Sequence, residues 1–472
     1  MPFGSAYRPD PAFLRLGDGF ADPVTAADFP AHILRYRNDG AATQIGLDTL
    51  SDAEWTRHLA GFEPLPDNLP EPLAMRYHGH QFRSYNPDLG DGRGFLFAQM
   101  RDRAGRLMDL GTKGSGTTPY SRFGDGRLTL KGAVREILAA EMLESLGAHV
   151  SRVLSVVETG EHLTRHDEPS PTRSAVMVRL NHGHIRIGTF QRHAFFSETD
   201  KLEKLVDFSL ETYFGETPQG DAAARACRLL ALVADRVAHQ AADLMATGFV
   251  HGVLNTDNIN ITGEIFDFGP WRFLPEMNLT FTAAYFDETG LYAFGRQADA
   301  LHWNIYQLAG ALVDLAGEDA LKDVLAPFPK TYVAALKKAL FHRLGLKPFG
   351  TERDDAMLGA LNDFMIEGKI PFERFFFDWY GGALSADRAQ HSPIADQYET
   401  DRFKALEPHL LAAEPKRRDA LDQPYFNATG PETLLIDEVE ALWAAIDRDD
   451  DWQPLNHKLD RIRAMGAALG HR

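Results

Sequence analysis

An α+β chain in two lobes, the first rich in strands and the second helical, is predicted by three features of this 472-residue sequence. Between about 70 and 130, short apolar runs are cut by glycine turns: Gly94-Phe-Leu-Phe-Ala-Gln-Met100, then Asp102-Arg-Ala-Gly105, then Arg106-Leu-Met-Asp-Leu-Gly-Thr-Lys113. This is hairpin punctuation. Beyond about 200 the apolar period becomes helical, most clearly from Ala222 to Met245, where Leu229, Leu230, Val233, Val237, Ala241 and Leu244 recur along the chain. That helix runs through Gly248 into a polar loop beginning at His251.

Taken in order, residues 1–65 are rich in Pro, Asp and Ala and read as an N-terminal extension. Residues 66–200 read as the strand-rich small lobe. It holds one helix, Leu130 to Leu146, with Val134, Ile137, Leu138 and Met142 near helical spacing and a stop at Gly147. Strands are expected around Val150 to Val157 and Ser174 to Leu180. Residues 201–390 read as a helical large lobe, with further helices at Arg296 to Leu315, Lys330 to Leu344 and Asp354 to Ile366. Residues 391–472 read as a C-terminal helical extension, with amphipathic pieces at Glu438 to Ile446 and Leu455 to Met465 around a charged loop, Asp447 to Asp451.

Composition excludes several classes. A formal net charge of -18 argues against a sequence-independent nucleic-acid binder, which needs a basic footprint. Cys227 is the single cysteine, so an intrachain disulfide and a cysteine zinc site are excluded. His182 and His184 lack a third ligand at sensible spacing for zinc. No uninterrupted apolar run reaches membrane-spanning length and the first residues lack a signal-like pattern, so a cytoplasmic chain with no membrane partner is expected.

The loop at His251 carries the chemistry. His251-Gly-Val-Leu-Asn-Thr-Asp257-Asn258 is followed, after an apolar segment expected to form a short hairpin over 259–266, by Asp267-Phe268-Gly269. Kinase-like phosphotransferases place an Asp directly after His-Gly to orient the hydroxyl nucleophile, and hold metals with a later Asn and the Asp of D-F-G. Here the first position is Val253, which can neither accept a proton nor bind a cation. Asn258 and Asp267 remain as candidate metal ligands, and Asp257 stands beside the Asn as a relocated base. The fold expected is therefore a bilobal protein-kinase-like one with N- and C-terminal extensions.

The small lobe supplies candidate nucleotide contacts. In Leu89-Gly-Asp-Gly-Arg-Gly94, Gly90 and Gly92 let backbone approach phosphate oxygens and Arg93 adds a charged donor; alone, the motif reads as an ordinary turn. Lys113 ends a strand where it can reach phosphates, with Glu136 on the next helix able to fix it. Asp125 and Gly126 lie in a second Gly-Asp-Gly-Arg. Arg179 and Arg186 flank Asn181-His-Gly-His184 and converge on one anion if a turn lies between them.

With these pieces in order, the chain resembles the selenoprotein O family of kinase-like proteins. The resemblance rests on Gly79-His-Gln-Phe82, Leu89 to Arg93, Lys113 to Arg122, Gly124 to Arg127, Arg179, His184-Ile-Arg186, Gly188-Thr-Phe190 and His251 to Gly269. It continues through Phe286-Asp287, Tyr292-Ala-Phe294 and Trp303-Asn304, covers about 70 to 310, and matches poorly beyond about 390. It implies protein adenylylation: ATP bound inverted relative to ordinary kinases, AMP transferred to Ser, Thr or Tyr hydroxyls of proteins, the chain itself among the candidate acceptors, and pyrophosphate released. UTP is a candidate alternative donor. The resemblance implies Asp257 as proton acceptor and Asn258 and Asp267 as ligands of Mg2+ or Mn2+. Gly90, Gly92, Arg93, Lys113, Asp125, Gly126, Arg179, Arg186 and Asp267 would line the nucleotide. Many members carry a selenocysteine or cysteine near the C-terminus; this chain has only Cys227, so terminal thiol chemistry does not carry over. The competing readings are a conventional kinase-like phosphotransferase and a nucleotide-binding pseudokinase scaffold.

Overall fold

The computed structural model describes residues 3–166 and 168–471. Its strands, in order, are β1 (Ala21–Pro23), β2 (Ile33–Arg37), β3 (Leu73–Met75), β4 (Gly79–Gln81), β5 (Ser84–Asn86), β6 (Leu96–Arg101), β7 (Leu107–Lys113), β8 (Leu128–Thr129), β9 (Arg152–Leu163) and β10 (Thr172–Asn181). Among the described residues, eight of these form one sheet in the order β1-β3-β6-β7-β10-β9-β2, with β8 also on β10. Its pairs are antiparallel.

Side-chain alternation sends the two faces of this sheet to different partners. On β10, Val176, Val178 and Leu180 enter a core with Ala41, Ile45, Trp55 and Leu59. The latter come from α1 (Asp39–Ile45) and α2 (Asp52–Leu59), started by Asn38 and by a Ser51/Glu54 capping box. Segment 1–65 thus supplies two strands and two helices packed on the sheet. Ala175 and Met177 face the opposite way, into the core that contains α3 (Leu130–Ser145). Thr129 caps α3 by accepting the Gly132 N–H.

Two helices follow β10, α4 (Ile187–Phe195) and α5 (Thr199–Tyr213), before α6 (Ala222–Ala246). On α6 the residues picked by periodicity, Leu229, Leu230, Val233, Val237, Ala241 and Leu244, are all buried. Gly248 then turns the chain at φ +65°, with its missing Cβ space filled by the Phe372 ring. Next, β11 (Phe249–Val250) pairs with β12 (Arg272–Phe273), closing the base of the loop that carries Asp257 and Asp267. Within that loop the expected 259–266 hairpin is absent. Asn260 bridges to Arg186 and Ile265 to Val150, so these two positions find their bridge partners in earlier parts of the chain and not across a hairpin.

Next comes α7 (Gln297–Ala311), then helices that include Phe328–Arg343, Thr351–Glu367, Ile436–Asp449 and Gln453–Leu469. Among the described residues, no helix is long and apolar enough to cross a membrane.

Candidate active site

A cleft of about 840 Å3 opens between the sheet and the His251 loop, and the sequence-named candidates for catalysis, nucleotide and metal line it: Gly90, Gly92, Arg93, Lys113, Asp125, Gly126, Arg179, Arg186, Asp257, Asn258 and Asp267. Sheet register explains part of this convergence. Met177 on β10 lies opposite Lys113 on β7, so Arg179, two residues further along β10, points to the same face as Lys113.

The expected convergence of Arg179 and Arg186 is present, and the anion they share is Asp267. Arg179 Nη1 donates to one Asp267 carboxylate oxygen at 2.6 Å and Arg186 Nη1 to the other at 2.7 Å. Lys113 Nζ lies 3.6 Å from the same carboxylate and is also paired with Glu136 on α3. Burial by itself would raise the Asp267 carboxyl, but Arg179, Arg186 and Lys113 outweigh it and hold the group well below the usual carboxylate range. Burial pushes the Lys113 ammonium down, opposed by Glu136 and Asp267.

Asp257 sits in the opposite electrostatic setting. It occupies a short 3-10 turn, Thr256–Asn258, and its Oδ1 is buried without a hydrogen-bond partner. Burial pushes its carboxyl up to about 6, against the pull of Arg186. The turn is held from three sides. Thr256 Oγ1 accepts the His80 N–H at 2.7 Å and donates to Gln191 Oε1 at 2.7 Å, while Arg186 Nη1 donates to the Asp257 carbonyl at 2.7 Å. From α7, Gln297 Oε1 accepts the His251 N–H and Asn304 Nδ2 donates to the Leu254 carbonyl. Asn258 donates Nδ2 to the Val253 carbonyl at 3.0 Å, which leaves its own carbonyl oxygen for another partner.

The glycine loop is explained by a neighbour. A Cβ on Gly90 would lie 2.3 Å from the Tyr120 ring, and one on Gly92 3.0 Å from the Tyr120 carbonyl, so both glycines are required by close packing of the 118–126 segment. Gly126 has φ +70° and packs against the Gly116 backbone. Asp125 is held by Arg165 at 2.8 Å, and 164–166 reach the cleft rim with it. His182 and His184 turn to the Leu107 carbonyl and to Asp109, with no metal grouping of three or more His, Cys, Asp or Glu among the described residues.

The family model described as protein adenylyltransferase SelO matches residues 5–463. The chain belongs to this family. It is 42% identical to a protein nucleotidyltransferase YdiU of Synechococcus elongatus, over 97% of this chain and 95% of that one. A YdiU of Synechocystis sp. is 41% identical over 96% of this chain and 98% of its own, and one of Bradyrhizobium diazoefficiens 36% identical over 96% and 91%. As a SelO-family member the chain is a protein nucleotidyltransferase. The match corrects the expectation that resemblance fades beyond about 390, since it extends to 463 and also takes in the N-terminal strands.

Several cleft residues escaped sequence reading. Asp91 is buried, accepts the Met75 N–H at 3.1 Å and lies 3.5 Å from Arg186. Tyr77 stacks under the Arg186 guanidinium at 4.5 Å. Tyr120 donates to Asp22 as well as packing on Gly90. Asp91 was visible within Gly-Asp-Gly and Tyr120 within the Lys113 to Arg122 segment, without a role for either, whereas Tyr77 left no local signal.

Proposed function

We propose that this chain transfers AMP from ATP to Ser, Thr or Tyr hydroxyls of proteins, itself among the candidate acceptors, within a bilobal kinase-like arrangement of a small lobe (66–200) and a large lobe (201–390) flanked by extensions (1–65 and 391–472). The observation that carries the reading is the pair of unlike carboxylates. Asp267 is held ionised by three cationic side chains, while Asp257, ten residues earlier, is desolvated with an unpartnered oxygen and a carboxyl near 6. Carboxylates whose environments push them apart divide into electrostatic and acid–base roles.

The acceptor hydroxyl oxygen attacks the α-phosphorus, the bond from that phosphorus to its bridging oxygen breaks, and pyrophosphate leaves. The hydroxyl proton passes to Asp257. Lys113, Arg93, Arg179 and Arg186 stabilise charge on the phosphate oxygens, with Gly90, Gly92, Asp125 and Gly126 shaping the rim. Bound phosphates give Arg179 and Arg186 a second anion, which releases the Asp267 oxygens. Asn258 and Asp267 offer oxygen donors that fit Mg2+ or Mn2+, which take few protein ligands and complete their shell with phosphate and water. Such an ion supplies positive charge against the phosphates. A cytoplasmic setting belongs to this reading, supported by a chain whose one cysteine requires no oxidising compartment.

ATP labelled separately at the α and γ phosphates tests the reading, with intact-mass measurement of enzyme and acceptor and UTP run in parallel. Label from the α position and an AMP adduct are expected. Label from the γ position alone overturns the reading in favour of a kinase, and binding without transfer makes the chain a scaffold. In the same assay, Val253→Asp is expected to produce no γ transfer. The residue touches the Gly269 backbone region, and a carboxylate there adds an anion beside the phosphates without moving Arg179, Arg186 or Lys113.

The acid limb of kcat/KM should fall as pH drops through about 6, where Asp257 takes up a proton. A raised carboxyl pKa means the base is lost below that value and present above it. A rate independent of pH between 5 and 7 would remove Asp257 from the role.

A further inference from the structure

We propose that the C-terminal helix Gln453–Leu469 is a built-in brace for α3, and that Arg463 is a positioning residue for the Lys113–Glu136 pair. The inference rests on the nucleotide role of Lys113 stated above. In that role Lys113 depends on Glu136, and Glu136 depends on where α3 lies. Five residues separate Glu136 from Glu141, which puts them about 140° apart around the helix. Glu136 reaches Lys113 on the cleft side, and Glu141 faces away from the cleft, to the C-terminal helix.

There Arg463 grips Glu141 with both arms of its fork, Nε to Oε2 at 3.1 Å and Nη2 to Oε1 at 2.9 Å, and the Tyr36 hydroxyl of β2 donates to Oε1 at 2.6 Å. The Glu141 side chain is 3% exposed. A buried carboxylate satisfied from a strand and from the C-terminal helix at once fixes the rotation of α3 about its axis. Contacts at both ends of α3 fix its tilt. In the first turn Lys131 Nζ pairs with Glu440 of the Ile436–Asp449 helix at 2.7 Å. In the last turn Gly466 packs so closely that an added Cβ would lie 2.9 Å from Ser145 Oγ. Between the helices, Ile462 and Met465 share the core of Met142 and Leu143. The helix pair is itself tied to the sheet, since Arg173 of β10 donates to the Ile446 carbonyl and to Asp450. On its other side, Arg135 of α3 donates to the Trp271 carbonyl, just past Asp267-Phe-Gly269.

The brace therefore joins the last residues of the chain to Lys113 through α3. Arg463→Ala, Arg463→Lys and a control on the same helix, Arg461→Ala, whose ion-pair partner is Glu432 and not a residue of α3, are compared in the full-length protein. Hydrogen exchange over 130–145, melting temperature and the affinity for a fluorescent ATP analogue are read for each. Arg463→Ala is expected to speed exchange in 130–145 and weaken the analogue about 5- to 30-fold. Arg463→Lys, which keeps the charge but not the fork, should recover part of this, and Arg461→Ala should leave both readouts unchanged. In a Glu136→Gln background, Arg463→Ala should cost little more affinity, because the pair it positions is already broken.

Unchanged exchange over 130–145 in Arg463→Ala overturns the brace whatever the nucleotide result. Full additivity with Glu136→Gln overturns the positioning role. Failure of the wild-type protein to bind the analogue instead refutes the proposed function, and the exchange measurement still decides the brace. Should Arg463→Ala not fold, Arg463→Lys carries the same comparison.

Discussion

Asp267→Ala is expected to abolish nucleotide transfer and to destabilise the protein together. The substitution removes a carboxylate to which Arg179, Arg186 and Lys113 all turn, leaving buried cations without their shared anion. Breaking such a buried arrangement from one side costs about 3–5 kcal/mol, because desolvated charge is left uncompensated. Chemical denaturation should show that loss, and titration with ATP and Mn2+ should show a matching loss of metal-dependent nucleotide affinity. Lys113 retains Glu136 and Arg186 retains Asp91, so the damage falls mainly on Arg179. A variant as stable as the parent, binding ATP and metal normally, would mean that Asp267 is neither an anchor nor a metal ligand.

Asp257→Ala should separate activity from stability in the opposite sense. Its Oδ1 is buried without a partner and its carboxyl is already raised by desolvation, so the folded protein loses little when the group is removed. The turn that carries it is held by Thr256 and by the Asp257 backbone carbonyl, neither of which the substitution touches. Transfer should nevertheless fall about 100- to 10,000-fold, the usual cost of losing a general base. Nucleotide affinity and melting temperature should stay close to the parent's, and the acid limb near pH 6 should vanish from any residual rate. Equal loss of metal-nucleotide affinity in Asp257→Ala and Asp267→Ala would contradict the division of labour between them.

The two variants differ because the same side chain, ten residues apart on one loop, meets different surroundings. Sequence placed both carboxylates in the site, since His-Gly, Asp-Asn and Asp-Phe-Gly are local patterns with local spacing. It could not say that one would be neutralised by β7, β10 and the turn after β10 while the other was left bare, because Arg179 lies 88 residues from Asp267. Contacts at that separation impose no period and no motif on the chain.

The same limit explains the other differences. Periodicity located α3 and α6 because each presents an apolar face at helical spacing, and glycine punctuation located β6 and β7. The 259–266 segment looked like a hairpin because its apolar residues alternate, yet its bridge partners are Arg186 and Val150, far earlier in the chain. The first 65 residues carry too short a pattern to announce strands, and β1 and β2 exist only because the sheet edges they join are already there.

What the sequence determined by itself is the chemistry available: a Val253 that offers no proton acceptor, Asp257 beside Asn258, Asp-Phe-Gly beyond, and a set of Lys and Arg residues in an otherwise acidic chain. Tertiary structure alone decided how that chemistry is poised. It set the charge balance at Asp267, the desolvation of Asp257, the Tyr120 packing that demands Gly90, and the C-terminal helix behind α3. Residue identity fixes which protons and charges are possible, whereas pKa, pairing and position depend on burial and on neighbours brought from distant parts of the chain.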